Sequence, residues 1–268
     1  MIYCPHMFTL QVIVSFVAGG LVIALQTLLG ERVPLRWRGV ALTIPTTMAL
    51  GLFFIGLTKT PADVPQAVRV IPAALALDYL WVLMFALFSR FTIIVALVGS
   101  FSIWGVCAAV LVQYPPRTIS GSILFYIPVL LISYWGISTL QQTPITSPVP
   151  VNWKHITIRS LIGGSIVAVI VILSKTIGNV WGGLFSVFPA AFTATFLIYY
   201  LVHGKKVIPS VAKSLFFPGA IGFVIYGVVA AAAFPKVGIW LGTLVAYAVS
   251  IPFYYFYTLV KIRLSKFA

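Results

Sequence analysis

Carboxylates are nearly absent from this chain. Glu31, Asp63 and Asp78 are the only three in 268 residues, so paired-carboxylate acid–base chemistry has little to draw on. The same scarcity argues against a hard, multi-oxygen site for divalent cations. Cysteine is scarce as well: Cys4 sits near the N-terminus and Cys107 inside an apolar run. Their different depths argue against a mutual disulfide, and neither has the spacing of a metal site. There is no P-loop and no HExxH motif, and His6, His155 and His203 fall at the ends of apolar segments. Nothing signals an enzyme or a cofactor. Residues 1–7 lack Lys and Arg, so the basic start of a secretory signal is missing and the first apolar run is expected to be retained.

What fills the chain instead is apolar surface: 61% of residues are hydrophobic, 7% are charged, and the mean hydropathy is +1.12. A soluble domain carries roughly a quarter charged residues, so this is an integral membrane protein. Nine segments approach the ~20 apolar residues a spanning helix needs: 8–30, 39–58, 70–88, 91–112, 121–138, 156–174, 180–202, 212–234 and 237–260. The ten-residue alternation of a membrane barrel is absent. The expected fold is all-α with nine transmembrane helices.

The net charge of +14 is spread over short loops rather than gathered into a nucleic-acid face, so no nucleic-acid partner is expected. With nine spans, Lys59, Arg69, Arg117, Lys175 and Lys236 share the side of the N-terminus, and the other twelve Lys and Arg lie opposite. Positive residues accumulate in the cytoplasm. The N-terminus is therefore expected outside and the C-terminus inside a cell membrane. Segment 121–138, interrupted by Pro128, is the weakest span; leaving it out gives a poorer charge split.

A pattern recurs 144 residues apart without a gap. Gly19, Gly20, Ala24, Leu29, Trp37, Gly39, Pro45, Leu57 and Pro65 return as Gly163, Gly164, Ala168, Leu173, Trp181, Gly183, Pro189, Leu201 and Pro209. Six of these nine are Gly, Pro or Trp, which mark backbone and interface positions rather than bulk apolarity. Residues 8–112 then form one four-helix repeat and residues 156–262 a second. Residues 113–155 join them through helix 121–138 and a polar, Pro-rich stretch. Because five helices separate equivalent positions, the second repeat is expected upside down. Inverted repeats are a common scaffold of alternating-access transporters.

Asp78 is the one acid near the middle of a span. At a helix centre an Asp costs about 2.5–3.5 kcal/mol on insertion scales, so it faces a cavity or a partner. It can bind a proton, a sodium ion or a substrate amine, or serve as structural glue between helices. The equivalent position in the second repeat is Gly222, so any ion site is asymmetric. Pro45 and Pro189 lie inside spans two and seven, and matched breaks in two halves point to a central site. Thr43, Thr46, Thr47, Ser186 and Thr193 are candidate hydroxyl ligands there, and Gln26 is a membrane-embedded polar residue near them. Gly19-Gly20 and Gly163-Gly164 would allow helices to approach closely. Trp37, Trp153, Trp181, Tyr114, Tyr199, Tyr200 and Tyr254 to Tyr257 are placed as interfacial anchors.

The stretch Val180-Trp181-Gly182-Gly183-Leu184-Phe185-Ser186-Val187-Phe188-Pro189, with Lys205, Lys206 and Ser214 to Pro218 beyond it, resembles the small GlpM-like four-helix membrane proteins. Arg38-Gly39-Val40-Ala41-Leu42-Thr43-Ile44-Pro45 is similar to related four-helix proteins. The resemblance implies inner-membrane helices with no settled activity, here as two copies fused in tandem. The expected function is a secondary transporter or permease with its site between the repeats. The alternatives are a non-transporting accessory protein or a lipid flippase. Expected partners are membrane lipid and an unidentified small molecule or ion, with homo-oligomerisation left open.

Overall fold

The computed structural model describes residues 5–32, 44–145 and 152–264, and among these every regular element is a helix. In chain order they are α1 (Pro5–Arg32), α2 (Thr46–Thr58), α3 (Val64–Val68), α4 (Ile71–Phe88), α5 (Ile93–Gln113), α6 (Ile119–Thr139), α7 (Trp153–Thr176), α8 (Asn179–Ser186), α9 (Ala190–His203) and α10 (Ile208–Leu264). Short 3-10 turns, Pro61–Asp63 and Lys205–Val207, precede α3 and α10. Seven stretches of described helix are long and apolar enough to cross a bilayer, and α2 is a shorter apolar helix. Their outer faces carry exposed Leu21, Leu25, Ile94, Val98, Leu124, Leu131, Trp240 and Leu244, a surface suited to lipid.

Helix α10 has 57 residues, or about 85 Å at 1.5 Å per residue. That is more than twice the thickness of a bilayer core. Gly238, at φ 78° and ψ 174°, divides it into two helices, a backbone state open to glycine without a Cβ penalty. The expected spans 212–234 and 237–260 meet at this residue. Pro128, by contrast, does not interrupt its helix: α6 runs unbroken through it, as membrane helices allow when neighbours satisfy the freed groups. Helix α6 lies beside α4 and runs the same way. At one end Ser122 Oγ accepts the Ala73 N–H at 2.8 Å, one of the donors that the start of α4 leaves unpaired. At the other, a Cβ on Gly136 would lie 2.8 Å from Leu83.

Helices α1 and α7 cross through the two glycine pairs. Within lipid, close packing rather than hydrophobic burial holds helices together, and small residues make it possible. A Cβ on Gly19 would lie 2.8 Å from Val167, and one on Gly163 would strike Ile23. A Cβ on Gly20 would lie 3.2 Å from the Ser160 carbonyl, and one on Gly164 2.5 Å from the Phe16 carbonyl. Shifting either partner by 144 residues converts each of these contacts into its counterpart. The helices are antiparallel, because Lys175 near the end of α7 reaches Gln11 Oε1 (3.3 Å) and the Phe8 ring near the start of α1.

The two prolines start helices in the same way. Pro45 (φ −76°, ψ 58°) precedes α2, and Pro189 (φ −74°, ψ 38°) precedes α9. The N–H of Thr46 reaches back to the Ile44 carbonyl at 2.8 Å, and that of Ala190 to the Phe188 carbonyl at 2.7 Å. Proline has no N–H to continue a ladder and its ring crowds the preceding turn. The stretch 180–202 is thus broken into two helices, α8 and α9, which together form one of the stretches long and apolar enough to cross.

Candidate functional site

Two small cavities lie at these helix starts, and they share a wall. The first, about 30 Å³, is lined by Asp78 and Tyr79 of α4, Thr47 of α2, Val187 to Pro189, and Phe223 of α10. The second, about 60 Å³, is lined by Gln26 of α1, Ile44, Thr46 and Thr47, Arg159 of α7, Thr195 of α9, and again Phe223. Thr47, Ala191 and Phe223 line both. Thr47 and Ala191 occupy equivalent positions of the 144-residue pattern, as do Tyr79 and Phe223.

Asp78 is 2% exposed. Its Oδ1 accepts the indole N–H of Trp104 at 3.0 Å, and the first cavity has no Lys, Arg or His among its lining residues. Trp104 stands on α5 with Phe185 and Phe188 edge-on to its ring. The Tyr79 hydroxyl is buried without a hydrogen-bond partner among the described residues. Buried polar atoms are nearly always bonded, and Tyr79 and Asp78 both line this cavity. A space of about 30 Å³ admits about one water or a bare ion.

Gln26 bridges the first helix start. Its Nε2 donates to the Ile44 carbonyl at 3.1 Å, and its Oε1 accepts the Thr46 hydroxyl. The remaining candidates are placed less centrally. Ser186 is fully buried, but its hydroxyl donates to the Gly183 carbonyl (2.7 Å) and lies off both cavities. The Thr193 hydroxyl donates to the Pro189 carbonyl (2.7 Å), also away from both. Pro45 borders neither cavity, and its carbonyl is taken by the Ala49 N–H at 2.9 Å. Thr43 lies outside the described residues. The structure therefore joins Asp78, Thr47 and Pro189 around one cavity, and Gln26, Thr46 and Thr47 around the other.

Two residues escaped the sequence reading. Arg159 counted there only as a loop charge, yet it sits partly buried on the wall of the second cavity. The available signal was its spacing, one helical turn ahead of Gly163. Tyr254 was placed in an interfacial belt, yet it is 3% exposed. Its ring occupies the space a side chain on Gly222 would need.

Residues 156–260, from α7 through most of α10, match a family described as protein of unknown function (DUF3147). No curated protein and no solved structure matches the chain. The match covers one stretch of the chain and carries no assigned activity; it supports neither the GlpM-like resemblance nor a tandem duplication.

Proposed function

We propose that this protein is a secondary transporter or permease, not an enzyme, built from two inverted four-helix repeats joined by α6. In this arrangement the nine spans put the N-terminus outside and the C-terminus in the cytoplasm. The site lies between the repeats, where α2 and α9 begin. One observation carries the reading: the only acid in mid-helix lines a cavity to which both matching helix starts contribute, with Phe223 of α10 closing it. Half-helices ending at a central polar cavity are how inverted-repeat transporters hold their cargo. Asp78 serves as the protonatable or cation-binding group, and Thr47 with the backbone near Pro189 supplies uncharged ligands.

The inverted arrangement has three supports. The α1–α7 contact is antiparallel and exchanges under the repeat shift. Helix α6 runs alongside α4 over its length, as an added crossing requires. Charge-bearing ends also meet in the expected groups: Lys175 with Gln11, Asn179 with Asp63 (3.1 Å), and Lys205 with the Arg90 carbonyl (2.8 Å). A flippase calls for a lipid-facing groove between the repeats. A groove of about 620 Å³ lies instead among α4, α5 and α6.

The test is proton flux into vesicles reconstituted with the wild type or Asp78→Asn. The expected result is solute-driven proton movement that the substitution abolishes, with folding retained. An unchanged flux and pH profile in Asp78→Asn would remove the acid from the mechanism.

A further inference from the structure

Helices α4 and α6 end on the same side of the bundle, and the turn Lys205–Val207 that leads into α10 lies beside them. Between these segments is an open pocket of about 380 Å³. Three cations line it: Arg90, just past α4, and Lys205 and Lys206 in the turn. Its described lining includes no carboxylate. Of the three acids in the chain, Asp63 stands before the start of α4, at the opposite membrane edge, and Asp78 midway along it. The third, Glu31, belongs to α1, which contributes nothing to this pocket.

A bond between distant parts of the chain holds the cations together. Lys205 Nζ donates to the Arg90 carbonyl at 2.8 Å, and the Arg90 guanidinium lies over the Phe91 ring, 5.2 Å from its centroid. A carbonyl takes one of the three ammonium donors and leaves the charge in place. Like charges gathered at one pocket repel, so an anion that bridges them is favoured. Arginine meets a phosphate with paired N–H donors, and lysine adds a point charge. Gln141 and Thr143 contribute uncharged polar groups to the same wall.

The rest of the wall includes apolar Leu87 and Leu140. Directly beyond Arg90 the outer surface is apolar too, with Phe91, Ile94 and Val98 exposed. A soluble anion has no use for such a surface, whereas a phospholipid can set its phosphate among the cations and lay its chains along it. Basic pockets between membrane helices, on the side where Lys and Arg accumulate, are suited to anionic headgroups. Arg90, Lys205 and Lys206 all belong to the larger of the two charge groups.

We propose that this pocket binds the phosphate of an anionic phospholipid, held by Arg90, Lys205 and Lys206. It shares no lining residue with the two cavities at the helix starts. The site therefore stands whether or not the protein transports.

The experiment follows thermal unfolding of the full-length protein, purified in a neutral detergent and stripped of bound lipid. Short-chain phosphatidylglycerol, short-chain phosphatidylcholine or inorganic phosphate is added at constant ionic strength. Phosphatidylglycerol is expected to raise the midpoint saturably, and the other two to give no saturable rise. Each Lys or Arg near an anionic lipid is worth about fivefold in affinity. Lys206→Gln should therefore weaken binding about fivefold, and Arg90→Gln combined with it about twenty-five-fold. Arg117→Gln, just before the start of α6, removes an equal charge at the opposite membrane edge and should leave the affinity unchanged. Absence of a saturable response to phosphatidylglycerol, or an equal response to phosphatidylcholine, overturns the proposal. So does an equal response to inorganic phosphate, which would make the ligand a soluble anion. Equal losses in Arg117→Gln and Lys206→Gln also overturn it, since they would mean general attraction to a basic surface. Should the double variant fail to fold, Lys206→Gln, an exposed position, carries the test alone, and an unchanged affinity there overturns the proposal equally.

Discussion

The glycine crossing and the buried acid stand at opposite extremes of the internal pattern. Between α1 and α7 the pattern is obeyed contact for contact: Gly19 meets Val167 as Gly163 meets Ile23. Around Asp78 it fails twice, because the carboxyl is replaced by Gly222 and its indole partner Trp104 by Ala248. The Tyr254 ring then lies against Gly222 where a side chain would stand. Positions that keep the halves together need the same shape on both sides. A site for one proton or one ion needs only one acid. A second carboxyl nearby would add like-charge repulsion.

Breaking the obeyed part should have the largest effect. Gly164→Leu drives a side chain into the Phe16 backbone, which cannot swing aside, and is expected to destabilise the fold by about 3 kcal/mol or more. Gly105→Ala, where an added Cβ meets nothing within 4 Å, should stay within about 0.5 kcal/mol. Thermal melting of the purified variants checks the pair, and equal effects would dissolve the crossing as the structural hinge of the account.

Restoring bulk at the disobeyed position comes next. Gly222→Ala collides with the Tyr254 ring, an overpacking expected to cost about 1–3 kcal/mol. Combining it with Tyr254→Ala should recover a measurable part of that loss in a double-mutant cycle. Additive effects would mean that the two residues do not compete for the same space.

Trp104→Phe removes the indole donor of Asp78 and should cost about 1 kcal/mol. That loss should vanish when Asp78 is already Leu, read from the same melting curves. The smallest effect is at the membrane edge. There Asp63 is held below its usual value of 3.8, chiefly by the Thr60 hydroxyl, with Asn179 and the Thr60 N–H helping and burial opposing. A depressed carboxyl contributes stability above its unfolded pKa and loses it as pH falls through the lower folded value. Thr60→Val should therefore lower stability slightly at neutral pH, with the difference from wild type shrinking as pH falls below about 4.

The sequence disclosed the features that depend on residue identity at a fixed spacing. Glycine pairs, prolines at equivalent positions and a lone acid in mid-span all leave a mark in one dimension. Arg159 left little, since it is close enough to the start of α7 to pass for a boundary charge. Only the folded structure brings it to a cavity wall shared with α1. Ser186 and Thr193 looked like ligands because they sit near the break. In a helix such hydroxyls bond readily to carbonyls three or four residues back, and both do. Pro128 reads as a breaker in sequence, but its helix is held by the long seam with α4.

Accessibility of the shared wall tests the central claim most directly. In a chain with Cys4→Ser and Cys107→Ser, Thr47→Cys becomes the sole thiol, and a membrane-impermeant maleimide is applied to sealed vesicles from one side or the other. Alternating access predicts labelling from both faces. Labelling from one face only, or from neither, would contradict it.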